Sequence, residues 1–331
     1  MARRRLPAEF DLIAHYFAPL AAAAPGAAGL TDDVAVLGVA AGEELVLKTD
    51  AIVGGVHFLA NDPPDLVARK MLRVNLSDLA GKGARPLGYL MACAFPGDLD
   101  AGWLDGFVAG LAADQREFAV PLLGGDTTST TGPVTLAATV LGAVGKGRVP
   151  RRSGGSVGDA VLVSGTLGDG ALGLDVQRKE IPGIDADGRA HLIDRYRLPR
   201  PRLGLGRALV DAGIVRAAMD ISDGLVADLG HICRTSGVGA RIEWRRVPLS
   251  PPAAALVAAE PARRERILTG GDDYELLLTV AADRVATALD IAVGQGVPLT
   301  EIGRLTAGTE VDVVDETGAP LAFERTGFRH F

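Results

Sequence analysis

The sequence predicts a protein of two domains in which strands and helices alternate. With 331 residues, 48% of them hydrophobic, the chain is long enough for about two domains with sizeable cores. Apolar runs typical of strands alternate with segments of helical periodicity, most regularly in the second half. A basic, glycine-rich segment, GRVPRRSGGSVGD (147–159), is the best candidate for the border. We therefore predict an N-terminal domain over residues 1–147 and a C-terminal α/β domain over residues 148–331.

The elements of the first half follow from the spacing of apolar residues. Phe10, Ile13 and Phe17 recur at helical spacing and predict an opening helix. A second helix begins at the prolines near residue 63 and ends before Gly81, and it carries Asn75 and Asp78 one turn apart. The remaining predictions are strands at 34–40, 44–48 and 86–95, a helix at 103–118, a short strand ending at Gly124 and a long strand at 133–145.

The central feature of the second half is the segment MDISDGL (219–225). A short apolar run there ends in Asp220 and Asp223, and a helix begins directly afterwards, because apolar residues recur at helical spacing up to Gly237. The other predictions are strands at 160–164 and 274–280 and helices beginning near Gly170 and spanning 203–212 and 282–293.

Composition excludes several classes of function. The net charge of -7 argues against a nucleic-acid or anionic-membrane surface. The two cysteines, Cys93 and Cys233, are isolated from any CxxC spacing, so neither a disulfide framework nor a zinc site is indicated. The chain has no signal-type apolar segment and no long apolar span. We expect a cytoplasmic protein.

Acidic residues recur where predicted strands and helices end, beside Gly, Ser or Thr. They are Asp32, Asp33, Asp50, Asp78, Asp126, Asp220, Asp223, Asp272 and Asp273. A carboxylate at such a turn either caps backbone N–H groups or holds a hard cation. If several turns converge, cations are needed to offset their mutual repulsion, and Mg²⁺ suits oxygen ligands that share it with phosphates.

The candidate phosphate-binding segments are less specific. No GxxxxGK[ST] motif is present, which excludes a P-loop nucleotide site. The turn SGTLGDGALGL (164–174) precedes a helix, so it either cradles a phosphate or serves as a tight connection. Arg151 and Arg152 are typical of solvated charges, and His57 is typical of a packed or surface histidine.

Seven segments, taken in order, resemble the motif set of one enzyme family. They are TDDVAV (31–36), TDAIVGGVHF (49–58), VNLSDLAGKGARP (74–86), GGDTTST (124–130), MDISDGLVADLGHI (219–232), GGDDYELLLTV (270–280) and GFRHF (327–331). Together they cover nearly the whole chain, and their combination is similar to thiamine-monophosphate kinase, a family of the aminoimidazole ribonucleotide synthetase superfamily.

The resemblance implies a homodimeric enzyme that uses ATP and several Mg²⁺ ions to phosphorylate thiamine monophosphate. It also implies an N-terminal α+β domain whose sheet forms a barrel with that of a second subunit, followed by a C-terminal α/β domain. The implied metal-binding residues are Asp33, Lys48 (through its carbonyl), Thr49, Asp50, Asp78, Asp126, Asp220 and Asp223. The implied ATP contacts are Gly125, Asp126, Arg152 and Ser222, and the implied thiamine-phosphate contacts are His57, Asp272 and Phe328.

Some positions depart from the family pattern, and two alternatives stay open. The family usually has glycine at Thr31, often a small hydroxyl residue at Lys48, glutamate at Asp272 and frequently tyrosine at Phe328. One alternative is another ATP-dependent member of the superfamily, acting on a formylglycinamidine, selenide or carbamoyl substrate. The absence of cysteine near either end of the sequence disfavours the last two. The other is a nucleotide- and metal-binding protein without turnover.

Overall fold

The computed structural model describes residues 6–179 and 181–328, and these form two compact units. Unit 1 contains the described residues up to Leu79 together with Arg85–Gly147. Unit 2 contains Ala80–Ala84 and the described residues from Arg148 onward. Each unit has its own sheet and its own buried apolar cluster, as expected for separate folding domains.

Unit 1 is built on a four-stranded mixed sheet. Its helices are α1 (Glu9–Leu12), α2 (Pro64–Gly81, whose last residues belong to unit 2) and α3 (Ala101–Phe118), with a π-helical turn at Ile13–Phe17 and 3₁₀ turns at Ala18–Ala21 and Pro25–Leu30. Its strands are β1 (Glu43–Val53), β2 (Arg85–Pro96), β3 (Leu122–Thr130) and β4 (Thr135–Gly145). The strand order is β1-β4-β2-β3, with β2 and β3 parallel and the other neighbours antiparallel. β1 and β3 are therefore the edge strands.

The two faces of this sheet differ in burial. Successive side chains of a strand point to opposite faces, and residues paired across strands share a face. Ile52 of β1 and Tyr89 and Met91 of β2 are buried, and we call their side the inner face. Leu47, which is 61% exposed, and Leu90 point the other way, to the outer face. The outer face thus carries apolar side chains that remain accessible.

Two predictions for unit 1 are wrong. Residues 34–40 form no strand, because their backbone finds no ladder partner in the described chain, and Val36 donates only one hydrogen bond, to the Gly26 carbonyl (2.8 Å). The strand predicted to end at Gly124 continues as β3 to Thr130, paired with β2. An edge strand tolerates the polar residues that the sequence reading placed beyond its end.

Unit 2 is built on a six-stranded sheet of order β10-β7-β9-β5-β8-β6. Its strands are β5 (Ala160–Ser164), β6 (Val215–Ile221), β7 (Gly239–Glu243), β8 (Glu275–Val280), β9 (Leu299–Thr306) and β10 (Val311–Val314). Its helices are α4 (Asp169–Arg178), α5 (Ala186–Arg197), α6 (Leu203–Asp211), α7 (Leu225–Ser236), α8 (Pro251–Ala259), α9 (Arg263–Thr269) and α10 (Val285–Gly294). Within residues 6–179 and 181–328, no helix combines the length and apolar character needed to cross a membrane.

The strand directions of unit 2 correct the predicted fold class in part. β10 pairs with β7 in parallel, whereas the other neighbouring strands are antiparallel. The molecule is therefore a two-domain α+β protein with mixed sheets, and its C-terminal half is not the α/β domain that the sequence predicted. Alternation of strands and helices along the chain gives the order of elements but not the direction in which each strand joins the sheet.

Candidate active site

Three charged side chains meet on the inner face of unit 1. Lys48 and Asp50 lie two residues apart on β1 and so share a face. The Lys48 Nζ lies 3.1 Å from Asp50 Oδ2 and 3.0 Å from Oδ2 of Asp78 on α2. We call Lys48, Asp50 and Asp78 the inner-face group. The fold thus brings two predicted metal ligands onto one cation.

The lysine of this group carries a positive charge. Burial lowers the pKa of Lys48, but the carboxylates of Asp78 and Asp50 outweigh that effect, so its pKa lies above the ordinary value for lysine. A protonated ammonium has no lone pair for a metal. A metal contact by Lys48 would therefore come from its backbone carbonyl.

The other predicted metal residues of unit 1 lie elsewhere. The Thr49 hydroxyl points away from the inner-face group, donating to the Ala138 carbonyl (3.2 Å) and accepting from the Thr139 hydroxyl (3.0 Å). Asp126 is exposed on β3 and pairs with Ala92, which places it on the outer face. Within unit 1 the predicted set is divided between the two faces of the sheet.

Asp33 and Asp126 both line one cavity of about 640 Å³. Its polar side is lined by Asp32, Asp33, Gly124, Gly125, Asp126 and Thr127, and its apolar side includes Phe10, Ile13, Phe17, Leu37 and Leu90. A Cβ atom at Gly125 would lie 1.9 Å from the Met91 carbonyl oxygen, so only glycine fits there. A cavity that has an apolar wall on one side, and carboxylates and glycine backbone on the other, is typical of a small-molecule site.

His57 lies in the turn that follows β1. The His57 Nδ1 accepts a hydrogen bond from the backbone N–H of Val53 (3.0 Å), and the backbone N–H of His57 donates to the Val53 carbonyl (2.9 Å). This hydrogen-bond pattern assigns the proton of the neutral imidazole to Nε2.

In unit 2, the turn between β6 and α7 is organised by a carboxylate that the sequence reading missed. Oδ2 of Asp228 accepts the backbone N–H groups of Ser222 (3.0 Å), Asp223 (3.0 Å) and Gly224 (3.2 Å). Burial raises the pKa of Asp228 to about 7, even though these donors favour the charged form. The signal in the sequence was an aspartate in the first turn of a helix that follows DISDG.

Two further motifs attach to the same turn. Asp272 and Tyr274 donate backbone N–H groups to the carbonyls of Ser222 (3.0 Å) and Ile221 (2.7 Å), and both have left-handed φ values, 72° and 52°. The Phe328 N–H donates to the Asp223 carbonyl (3.0 Å). The left-handed backbone of Asp272 and Tyr274 is strained, and such strain persists where the surrounding structure enforces it, often at functional sites.

The structure therefore brings the unit 2 predictions together. Asp220 is buried at the end of β6, directly before the turn that holds Ser222 and Asp223. Asp272 and Phe328 reach this turn from segments distant in the chain. Residues 329–331 of the GFRHF motif lie outside the described residues.

Arg152 lies near the end of α7. Its carbonyl accepts a hydrogen bond from the Ser236 hydroxyl (3.3 Å), which in turn accepts the N–H of Gly155 (3.1 Å). Burial lowers the pKa of His231 on α7, and the positive charge of Arg152 lowers it further. Arg152 is thus a cation held beside the helix that begins after the Asp223 turn.

The glycine-rich turn before α4 binds a carboxylate of the protein itself. Asp273 is fully buried and accepts the N–H groups of Gly168 (2.9 Å) and Gly170 (3.4 Å). A phosphate would need these donors. Asp273 occupies these two donors, which favours the alternative that SGTLGDGALGL is a structural connection.

The carboxylate chemistry suits Mg²⁺, and in the inner-face group two carboxylates already converge on one cation. Over the part of the chain that the structure describes, no three His, Cys, Asp or Glu residues gather into a site that would hold a metal by themselves.

Comparisons with known proteins agree with the motif pattern. The AIR synthase related protein family matches through its N-terminal domain at residues 31–144 and its C-terminal domain at 156–316. A thiamine-monophosphate kinase of Caulobacter vibrioides is 43% identical over 98% of this chain and 91% of its own.

Solved structures give the same result. The thiamine-monophosphate kinase of Stenotrophomonas maltophilia superposes with a TM-score of 0.82 at 36% identity, covering 94% of this chain and 98% of that one. A structure described as AaThiL complexed with AMPPCP and TMP superposes with a TM-score of 0.77 at 31% identity, covering 98% and 97%. The chain belongs to the thiamine-monophosphate kinase family, within the AIR synthase related proteins.

Proposed function

We propose that this protein is a kinase that transfers the γ-phosphoryl group of ATP to thiamine monophosphate, forming thiamine diphosphate. The observation that carries the proposal is the attachment of the GGDDY loop and the C-terminal GF segment to the DISDG turn in unit 2. A relative that is 43% identical over 91% of its own length, and a solved structure that is 36% identical over 98% of its chain, are named thiamine-monophosphate kinases. One solved neighbour holds AMPPCP and TMP.

The proposed binding residues divide by ligand. For ATP they are Gly125, Asp126, Arg152 and Ser222, and for thiamine monophosphate they are His57, Asp272 and Phe328. Gly125 lets β3 lie close to the Met91 carbonyl of β2, where a Cβ would not fit, and Arg152 offers a charge that suits phosphate. Phe328, which is half-exposed, offers an aromatic face for stacking on a heteroaromatic ring.

The acceptor needs no general base. A phosphate monoester has its second pKa near about 6, so it is largely dianionic at neutral pH and already nucleophilic. The obstacle is repulsion between two anionic phosphates that must approach in line, and positioning together with charge neutralisation removes it. No side chain is therefore proposed as an acid or base.

The proposed ligands of Mg²⁺ are Asp33, the Lys48 carbonyl, Thr49, Asp50, Asp78, Asp126, Asp220 and Asp223. When bound, Mg²⁺ neutralises phosphate charge and fixes the orientation of the phosphates. Four of these aspartates lie on regular elements, which fix the positions of their carboxylates: Asp50 on β1, Asp78 on α2, Asp126 on β3 and Asp220 on β6. Their task is to position, and none of them becomes phosphorylated.

Direct transfer has a stereochemical consequence. A single in-line displacement inverts the configuration at the transferred phosphorus, whereas a phosphoenzyme intermediate would produce retention. Transfer from chirally labelled ATP is therefore expected to give inversion, and retention would exclude the direct mechanism.

We further propose that unit 1 corresponds to an ATP- and metal-binding domain over residues 1–147 and unit 2 to a C-terminal domain over 148–331. We also propose a cytoplasmic homodimer in which the outer face of the unit 1 sheet meets its copy and forms a barrel. The exposed Leu45 and Leu47 on the edge strand β1 support this, since such an edge is otherwise open to aggregation.

The deciding experiment incubates purified protein with ATP, Mg²⁺ and thiamine monophosphate and follows thiamine diphosphate and ADP by chromatography. Both products should form in equal amounts, only with Mg²⁺, and not with thiamine or pyridoxine as acceptor. ATP binding without product would refute the kinase proposal and favour a binding protein or a different acceptor.

A further inference from the structure

The ammonium group of Lys48 lies where a cation shared by two carboxylates would lie. Its Nζ is within 3.1 Å of Oδ2 of Asp50 and 3.0 Å of Oδ2 of Asp78, which come from a strand and a helix. Both carboxylates remain partly exposed, at 43% and 22% of the side chain, so the pair is accessible to ions from solvent. The contact therefore connects two elements through a charge that belongs to the chain.

A second cation cannot share this position. Mg²⁺ binds carboxylate oxygens at about 2.0 to 2.1 Å, so an ion on these two oxygens would lie against the ammonium, and the two positive charges would repel. Lysine offers a compact charge on a flexible stem, which is the kind of cation that fits between two carboxylates. The inner-face group is already partly neutralised without a metal.

We propose that the Lys48 ammonium replaces one divalent cation between Asp50 and Asp78. The protein then completes its site with one metal ion fewer than a variant that lacks this ammonium. Lys48 is a positioning residue, since it acts by holding the two carboxylates. The inference rests on the proposed function insofar as these carboxylates are taken to belong to the metal-binding set.

Counting bound Mn²⁺ tests this without relying on activity. Free Mn²⁺ is measured by electron paramagnetic resonance while the full-length protein is titrated in the presence of a non-hydrolysable ATP analogue. Lys48→Met keeps most of the length of the side chain without its charge, and Lys48→Ser removes both. Each should bind one more Mn²⁺ per chain than the unmodified protein. Lys146→Met, at an exposed lysine of the same unit, should change nothing.

A double variant assigns the additional ion. Adding Asp78→Asn to Lys48→Met should remove the gained Mn²⁺, because one of the two carboxylates is lost. Equal Mn²⁺ counts in the unmodified protein and both Lys48 variants would overturn the proposal, as would a gained ion that persists in the double variant. Formation of thiamine diphosphate by the unmodified protein, measured separately, tells whether the kinase proposal survives such a result.

Discussion

Oδ2 of Asp228 accepts the backbone N–H of Asp223 at 3.0 Å, five residues earlier in the chain. The same oxygen accepts the N–H groups of Ser222 and Gly224. One buried carboxylate thus shapes the turn that carries two of the proposed ligand-binding residues. Asp228 is buried, so its carboxylate is shielded from bulk solvent.

Asp228→Ala is expected to destabilise unit 2, since three N–H groups lose their acceptor at about 1–3 kcal/mol for each buried donor left unpaired. Asp228→Asn keeps an acceptor oxygen and should lose less. Urea unfolding gives the free energies, with Asp290→Ala at an exposed helical position as control. Equal stability of Asp228→Ala and the control would show that the turn does not depend on this carboxylate.

Gly125→Ala should weaken ATP binding and lower stability. The added methyl would lie 1.9 Å from the Met91 carbonyl oxygen, so β3 must move relative to β2, at a cost of about 1–3 kcal/mol. Calorimetric titration with an ATP analogue measures the binding. Gly38→Ala, where a methyl meets nothing within 4 Å, should bind normally. Unchanged affinity in Gly125→Ala would remove this position from the ATP site.

Asp126→Asn should reduce turnover on the order of 10²-fold while the protein stays folded, because a charge that helps to neutralise the reacting phosphates through a metal is lost. The measurement is the initial rate of thiamine diphosphate formation as Mg²⁺ is varied. Asp105→Asn, on the exposed side of α3, is the matched control. Near-normal activity of Asp126→Asn at limiting Mg²⁺ would exclude Asp126 from the metal ligands.

Asp273 should make stability depend on pH. Burial raises its pKa well above the ordinary carboxyl value, although the N–H groups of Gly168 and Gly170 oppose this. As the pH rises, the unfolded chain therefore releases this proton first, near pH 4, while the folded protein still holds it. Protonated Asp273 contributes to stability below this pH, and that contribution is lost as the pH rises towards the pKa of the folded state. Asp273→Asn does not titrate at this position. The difference in unfolding free energy, native minus Asp273→Asn, should fall as the pH rises from about 4, and a constant or rising difference would contradict the prediction.

Leu47→Lys should dissociate the proposed dimer. Leu47 is 61% exposed on the outer face of β1, and a charge placed in an apolar subunit interface is costly. Sedimentation at micromolar concentration should give twice the chain mass of 34.2 kDa for the unmodified protein and a single chain for the variant. Val293→Lys, at a valine of α10 that is 80% exposed, should leave the mass unchanged. A monomeric unmodified protein would refute the dimer.

Local pattern was sufficient for much of the fold. The apolar spacing that predicted a helix over 63–79 and strands over 86–95 and 160–164 corresponds to α2, β2 and β5 within two residues at each end. These elements have strong periodicity, and packing then reinforces what each segment prefers locally. The run at 34–40 has the same apolar character and is no strand, because a strand needs a partner that local pattern cannot supply.

The sequence by itself determined the family, many of the elements and the residue types available to bind metal and phosphate. Tertiary structure alone decided that Asp228 holds the DISDG turn and that Asp273 occupies the donors before α4. It also decided that the ammonium of Lys48 lies between Asp50 and Asp78. These relationships join residues from different elements, and their strand directions, registers and helix placements arise from packing of the whole unit rather than from local periodicity.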